Sequence, residues 1–147
     1  MLVSVVLAIS ILLLNQWFSK RKTRRDLLIE KLEKLASSLY SYQRISSSLC
    51  NSFFLQHDVD PEKLAELSVV SGEIEMLQKL YFSNEKFDLT IGADIVSIGY
   101  DNLSSEKLKE GSIFPADHPY LEFSEALHEF SLEVEKQLEA LAKKYIT

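Results

Sequence analysis

The sequence contains few of the residues that turn or cross-link a chain. Its 147 residues include four glycines, three prolines and a single cysteine, Cys50. An all-β protein needs a turn every few residues, so this scarcity argues against one. A lone cysteine excludes an internal disulfide, and nothing requires an oxidising compartment. Gly92 and Gly99 belong to no glycine-rich phosphate-binding motif.

Acidic residues are absent from the first 25 positions, although the whole chain is acidic. The formal net charge is −6, but residues 26–147 carry 22 acidic and 11 basic residues, a net of −11. The other five basic residues form what we call the basic collar: Lys20, Arg21, Lys22, Arg24 and Arg25. Apolar residues make up 46% of the chain, so the acidic part can bury a core.

Residues 1–18 predict a transmembrane anchor. Ser4 and Ser10 are the only polar side chains up to Leu14, and Trp17 suits a membrane interface. A helix over these residues would be about 27 Å long, just short of a hydrocarbon core of about 30 Å. A signal peptide is disfavoured because the basic residues follow the apolar run. A buried core helix is disfavoured because the run has no polar face.

The basic collar sets the expected orientation. Positive residues stay inside, so we predict a single-pass protein of the cell (inner) membrane with an outside N-terminus and a cytoplasmic C-terminal domain. Trp17 and the basic collar should contact the membrane surface, including its anionic headgroups. Nucleic acid is not an expected partner, because no aromatic residues interleave with the collar and the acidic domain would repel phosphates. The predicted organisation is an anchor (1–18), a juxtamembrane collar (19–25) and a helical domain (26–147).

From Asp26 onward, apolar residues recur at the heptad spacing of a coiled coil, with Ser46 in one position of the series. No glycine or proline interrupts residues 1–60, so the anchor is expected to continue into a helix that ends near Phe54. Tyr40 and Phe54 lie off the seam and are further candidates for a partner surface. The candidate interaction seam consists of Leu28, Leu32, Leu35, Leu39 and Tyr42. Its expected occupant is a second copy or a partner helix, and the alternative is the domain's own last helix.

Three further helices are predicted, which makes the chain an all-α bundle of about four helices. Asp60 and Pro61 begin the second, which should run to about Phe82. Residues 85–100 fit a helix or a strand, and helix is favoured because a lone strand has no pairing partner. A short turn at 104–111 and a loop at 112–119 follow. The last helix opens at Pro119, and Phe123 begins its apolar stripe.

Glu125 and His128 have the Glu-x-x-His spacing of carboxylate-bridged di-metal bundles, because one helical turn places both side chains on one face. Such a site needs a second motif, and neither His57 nor His118 has a glutamate three residues before it. Glu125 also lies off the apolar stripe. We therefore interpret Glu125 and His128 as an exposed polar face and predict no metal site.

Cys50 could act as a nucleophile with His57, or with His118 and Asp117. No helix N-terminus or basic pocket that would lower its pKa is recognisable beside it. We interpret Cys50 as a small buried hydrophobe. Asp117 or His118 is interpreted as the cap of the helix that Pro119 begins. The sequence therefore predicts no catalytic residue and no cofactor.

The leading functional hypothesis is a non-enzymatic, membrane-tethered interaction or scaffold protein. Its helical domain would bind itself or a cytoplasmic partner and hold that partner at the membrane, where tethering raises the local concentration. One alternative is an accessory subunit of a larger membrane complex. Another is a membrane-bound helical-bundle metalloenzyme that uses Glu125 and His128.

Overall fold

Four α-helices and one π-helical turn make up the regular structure of the described chain. The computed structural model describes residues 2–104 and 113–146, with side chains over 9–104 and 113–145. These ranges contain no strand, so the all-α prediction is confirmed. In chain order the elements are α1 (Leu2–Asn51), the π turn (Ser52–Gln56), α2 (Pro61–Tyr81), α3 (Thr90–Asn102) and α4 (Pro119–Ile146).

Local capping explains where α2 and α4 begin. The Asp60 carboxylate accepts hydrogen bonds from the backbone N–H groups of Glu62 and Lys63, both at 3.1 Å. At α4, Nδ1 of His118 accepts from the N–H of Tyr120 at 3.2 Å. Each side chain satisfies donors that lack a partner in the first helical turn. The predicted starts at Pro61 and Pro119, and the capping role of His118, are confirmed.

The core lies along the C-terminal half of α1. Leu35, Leu39 and Leu49 are fully buried there. Helix α4 runs antiparallel to α1, since its beginning lies beside the π turn and its end lies beside the end of α2. At the first of these places the Phe54 ring stacks on Phe123, with centroids 5.6 Å apart. The predicted helical bundle is therefore confirmed for residues 28–104 and 113–145.

The π turn at Ser52–Gln56 buries two consecutive aromatic rings against different helices. Phe53 packs beside Tyr100 of α3, with ring centroids 5.2 Å apart, and Phe54 packs on α4. The segment ends at His57, which has a left-handed φ of 51°. Phe54 is 1% exposed, so its prediction as a partner surface is wrong, whereas Tyr40 is exposed. A uniform heptad pattern does not anticipate the π turn, which changes the helical period locally.

Residues 90–102 are helical, as favoured for the ambiguous segment, but residues 85–89 are not. The helix begins at Thr90, whose N–H and hydroxyl both donate to the Asp88 carboxylate, at 2.9 and 2.7 Å. Helix α3 runs parallel to α1, since its start lies beside Tyr42 and its end beside Phe53. Residues 113–118 form the expected loop. The predicted turn at 104–111 lies outside the described residues, apart from residue 104.

The prediction of a transmembrane anchor at residues 1–18 is wrong. In the part of the chain that the structure describes, no helix is both long enough and apolar enough to cross a membrane. The apolar run of the sequence ends at Leu14, where Asn15 and Gln16 follow, and the charged collar begins at Lys20. A membrane span requires about 20 predominantly apolar residues. The single-pass localisation with an outside N-terminus rested on this anchor and is corrected with it.

Candidate interaction surface

The predicted seam of α1 lies inside the bundle. Leu32, Leu35, Leu39 and Tyr42 are buried, and Leu28 packs against the core as a partly buried side chain. The last two turns of α2 help to cover this part of α1, since Lys31 Nζ lies 6.0 Å from the Tyr81 ring centroid. These five residues therefore form intramolecular contacts in this structure and do not present a surface.

Glu73 of α2 ties the same part of α1 to the bundle. Its carboxylate accepts from the Ser38 hydroxyl at 2.7 Å and forms an ion pair with Lys34 at 2.8 Å. The hydrogen bond from Lys34, followed by that from Ser38, lowers the pKa of Glu73. The seam is thus closed at its solvent edge by a polar contact from α2.

The N-terminal half of α1 projects beyond the bundle. Every residue from Ile9 to Leu27 is exposed, whereas the side chains that pack on the core begin at Leu28. We call residues 9–27 the arm. Leu12 and Phe18 are 61% and 60% exposed. The large apolar side chains exposed in its first ten residues are Ile9, Ile11, Leu12, Leu13, Leu14, Trp17 and Phe18.

One face of the arm combines aromatic and basic side chains. Leu14, Trp17, Phe18, Arg21 and Arg25 recur at i, i+3, i+4, i+7 and i+11, so they share a helix face. The Arg21 guanidinium lies 3.9 Å from the centroid of the Trp17 ring, a cation–π contact. The sequence predicted Trp17 and the basic collar as a contact surface. The structure leaves all six of these residues exposed.

A cleft of about 470 Å³ lies between α4 and the segment 86–94. Its floor is apolar and includes Ile91, Phe123 and Phe130, whereas its rim is charged. We call this cleft the acidic groove. The acidic residues that line it are Asp88, Asp94, Glu122, Glu129 and Glu133, and the basic residue that lines it is Lys86.

Two polar side chains of the acidic groove, Asp88 and Gln137, form hydrogen bonds within the chain. The Thr90 hydroxyl and, next, the Thr90 N–H lower the pKa of Asp88, so this carboxylate stays charged at neutral pH. Gln137 donates from its Nε2 to Glu133 at 2.9 Å. The Oε1 of Gln137 is buried and has no hydrogen-bond partner within the described chain. An unsatisfied buried acceptor is unfavourable.

No protein family, curated protein or solved structure matches this chain.

Sequence reasoning missed the acidic groove. Glu122, Glu129 and Glu133 recur at i, i+7 and i+11, a spacing that places them on one face of α4. That signal was present, but a charged stripe on a helix usually faces solvent. Only the position of α3 opposite this stripe makes it one wall of a groove.

The side chains of Cys50 and His118 have structural roles, and His57 has one through its backbone. Cys50 is buried, and burial raises the pKa of its thiol to about 12. The thiol is therefore protonated at neutral pH and is not the thiolate that a nucleophile requires. His57 ends the π turn with its N–H bonded to the carbonyl of Ser52. His118 caps α4.

The candidate metal ligands lie on the exposed face of α4. Glu125 and His128 are both exposed, and Leu127 between them is buried. Within residues 9–104 and 113–145, no three or more His, Cys, Asp or Glu side chains are grouped so that they could hold a metal ion. The Glu-x-x-His spacing therefore has no second half among these residues.

Proposed function

We propose that this chain is a non-enzymatic interaction protein whose bundle carries the arm as its binding element. The observation that supports the proposal most strongly is that an apolar helical segment from Ile9 to Phe18 is exposed along its whole length. Monomeric proteins rarely expose a contiguous apolar patch of this kind unless it marks an interaction site. The occupant is a protein partner or a second copy of the chain.

The free energy available from covering the arm is moderate. Seven large apolar side chains are exposed in its first ten residues. Covering the exposed half of each would contribute about 1 kcal/mol per side chain, or on the order of 7 kcal/mol together. Association costs roughly 4–15 kcal/mol in lost translational and rotational freedom. Apolar burial alone therefore gives weak binding, and the adjacent basic collar is the feature able to strengthen it.

The arm is suited to binding because the bundle preorganises it. An isolated helix shorter than about 12–15 residues is marginal in water, since its nucleus is costly to form. The arm continues a helix whose C-terminal half is already fixed by the core, so this nucleation cost is met. A partner then meets a rigid helix and loses little conformational entropy on binding.

Site-specific photo-crosslinking in cells tests the proposal. A photoreactive amino acid at Phe18 should give a discrete adduct with a protein or with a second copy. The matched control places it at Val69 on α2, which is 71% exposed and lies outside the arm. Replacing Leu13 and Leu14 with serine should abolish the Phe18 adduct. Equal labelling from Phe18 and Val69, or an adduct that survives the serine substitutions, would overturn the proposal.

A further inference from the structure

We propose that the acidic groove of one molecule binds the arm of a second copy, so that two such contacts close a twofold dimer. The inference rests on the proposed function and adds to it the occupant of the arm. The groove is a separate site, formed by α3 and α4, and the arm belongs to α1.

Charge complementarity favours this pairing. The groove is lined by five acidic residues and one basic residue. The collar of the arm supplies five basic residues, and no acidic residue occurs before Asp26. Opposite charges at a contact increase the association rate and fix the register of the two surfaces. Within residues 9–104 and 113–145, no other segment combines five basic residues with large exposed apolar side chains.

The apolar parts of the two surfaces also match. The floor of the groove offers Phe123, Phe130 and Ile91 between its acidic rims. The arm presents Trp17 and Phe18 on the same face as Arg21 and Arg25. Aromatic side chains on the floor and charged side chains at the rim are the common arrangement of a protein–protein contact. This face of the arm can therefore cover the floor while its arginines reach the carboxylates.

The lengths of the two surfaces are compatible. Helical geometry gives about 16 Å from Leu14 to Arg25, at roughly 1.5 Å per residue. The α4 wall of the groove extends from Glu122 to Gln137, which is about 22 Å on the same geometry. Arginine guanidinium groups carry five donors each, which suits them to the carboxylates at the rim.

A molecule cannot place its arm in its own groove. Helix α1 is continuous from Leu2 to Asn51, and residues 1–60 contain no glycine or proline that would provide a hinge. The arm therefore points away from the bundle that carries the groove. Because the same two surfaces occur on each copy, a twofold arrangement uses both contacts at once.

Charge reversal in the full-length chain tests the inference. The arm-reversed variant carries Arg21→Glu, Arg24→Glu and Arg25→Glu. The groove-reversed variant carries Glu122→Lys, Glu129→Lys and Glu133→Lys. The matched control carries Glu125→Lys, Glu135→Lys and Glu139→Lys, which are exposed positions of α4 that do not line the groove. Circular dichroism and thermal unfolding verify that each variant is folded, and sedimentation at low ionic strength measures association.

The wild-type chain and the matched control should form dimers. Each reversed variant should show a dissociation constant raised by about a hundredfold or more, since like charges replace several opposite-charge pairs. An equimolar mixture of the arm-reversed and groove-reversed variants should form a heterodimer, because both contacts then join opposite charges again. A mixture that stays monomeric, or a groove-reversed variant that dimerises like the wild type, overturns the inference.

Other occupants give different results. If the wild-type chain stays monomeric while the Phe18 crosslinker captures another protein, this inference fails and the proposed function stands. If the arm-reversed and groove-reversed variants both dimerise and the Phe18 adduct is between two copies, the arms pair with each other and the groove has no part. If the wild-type chain binds anionic phospholipid vesicles and forms no dimer or protein adduct, both proposals fail.

Discussion

The Tyr42 hydroxyl accepts a hydrogen bond from the backbone N–H of Gly92 at 2.9 Å. The same hydroxyl donates to the Leu89 carbonyl at 2.7 Å. Gly92 lies in the first turn of α3, where N–H groups lack a helical partner. One buried side chain of α1 therefore fixes the beginning of α3, and with it the α3 wall of the acidic groove.

We expect Tyr42→Phe to lower the free energy of unfolding by about 1–3 kcal/mol, because it leaves the buried N–H of Gly92 without an acceptor. Chemical denaturation compares the variant with the wild type. Tyr40→Phe is the matched control, since Tyr40 is exposed on the same helix, and its effect should stay within about 0.5 kcal/mol. Equal effects of the two substitutions would show that the Tyr42 hydroxyl does not hold α3.

Replacement by alanine should change the stability of the protein in opposite directions at Gly99 and at Gly72. A Cβ at Gly99 would lie 2.6 Å from Cδ2 of the buried Phe53 ring, whereas a Cβ at Gly72 would have nothing within 4 Å. Gly99→Ala should therefore destabilise the protein by about 1–3 kcal/mol through overpacking. Gly72→Ala should stabilise it by about 0.5–1 kcal/mol, because Gly72 lies in the interior of α2. Thermal unfolding measures both shifts, and a stabilising Gly99→Ala would contradict the close contact.

Cys50 should make stability depend on alkaline pH. Burial raises its pKa from 9.0 to about 12, so the folded state retains the proton while the unfolded state releases it. Because the pKa is raised in the folded state, Cys50 contributes its full stabilisation of the fold below about pH 9. This stabilisation is lost progressively as the pH rises towards 12. Cys50→Ala should show a shallower loss of stability over this range than the wild type.

In the wild type, a thiol reagent at neutral pH should react only at the rate of unfolding, and rapid labelling of the native protein would contradict the burial.

The periodicity of apolar residues predicted the helices and their inward faces correctly. The stripe that begins at Phe123 is buried along α4, and the cap at Asp60 begins α2. Such features depend on neighbouring residues of one helix, and a sequence displays them directly. The π turn at Ser52–Gln56 depends instead on α3 and α4, which receive Phe53 and Phe54, so a local pattern does not reveal it.

The sequence does not reveal which helix or which other molecule covers a given helix face. Leu32 and Leu35 have the same spacing whether α2, α4 or another molecule covers them, and the structure shows that the chain's own helices do. The apolar run from Met1 to Leu14 has no polar face, and this predicts a membrane span that the described residues do not contain. Glu122 and Glu129 became part of a groove only through the position of α3. In each case the deciding information lies in the tertiary arrangement.

Leucine-to-serine substitutions should affect stability in the C-terminal half of α1 and association in its N-terminal half. Leu28, Leu32 and Leu35 pack on the core, and replacing all three with serine leaves cavities and buried hydroxyls. We expect the bundle to lose several kcal/mol of stability, since each large-to-small change in a core costs about 2–5 kcal/mol and the partly buried Leu28 less. Replacing Leu12, Leu13 and Leu14 of the arm with serine removes exposed side chains only. The thermal midpoint should therefore be unchanged at a concentration where the wild type is monomeric, while association falls at higher concentration. Circular dichroism melts and sedimentation of the full-length variants measure both properties. An arm variant that unfolds the bundle, or a seam variant that keeps full stability and loses only association, would return the interaction surface to the seam.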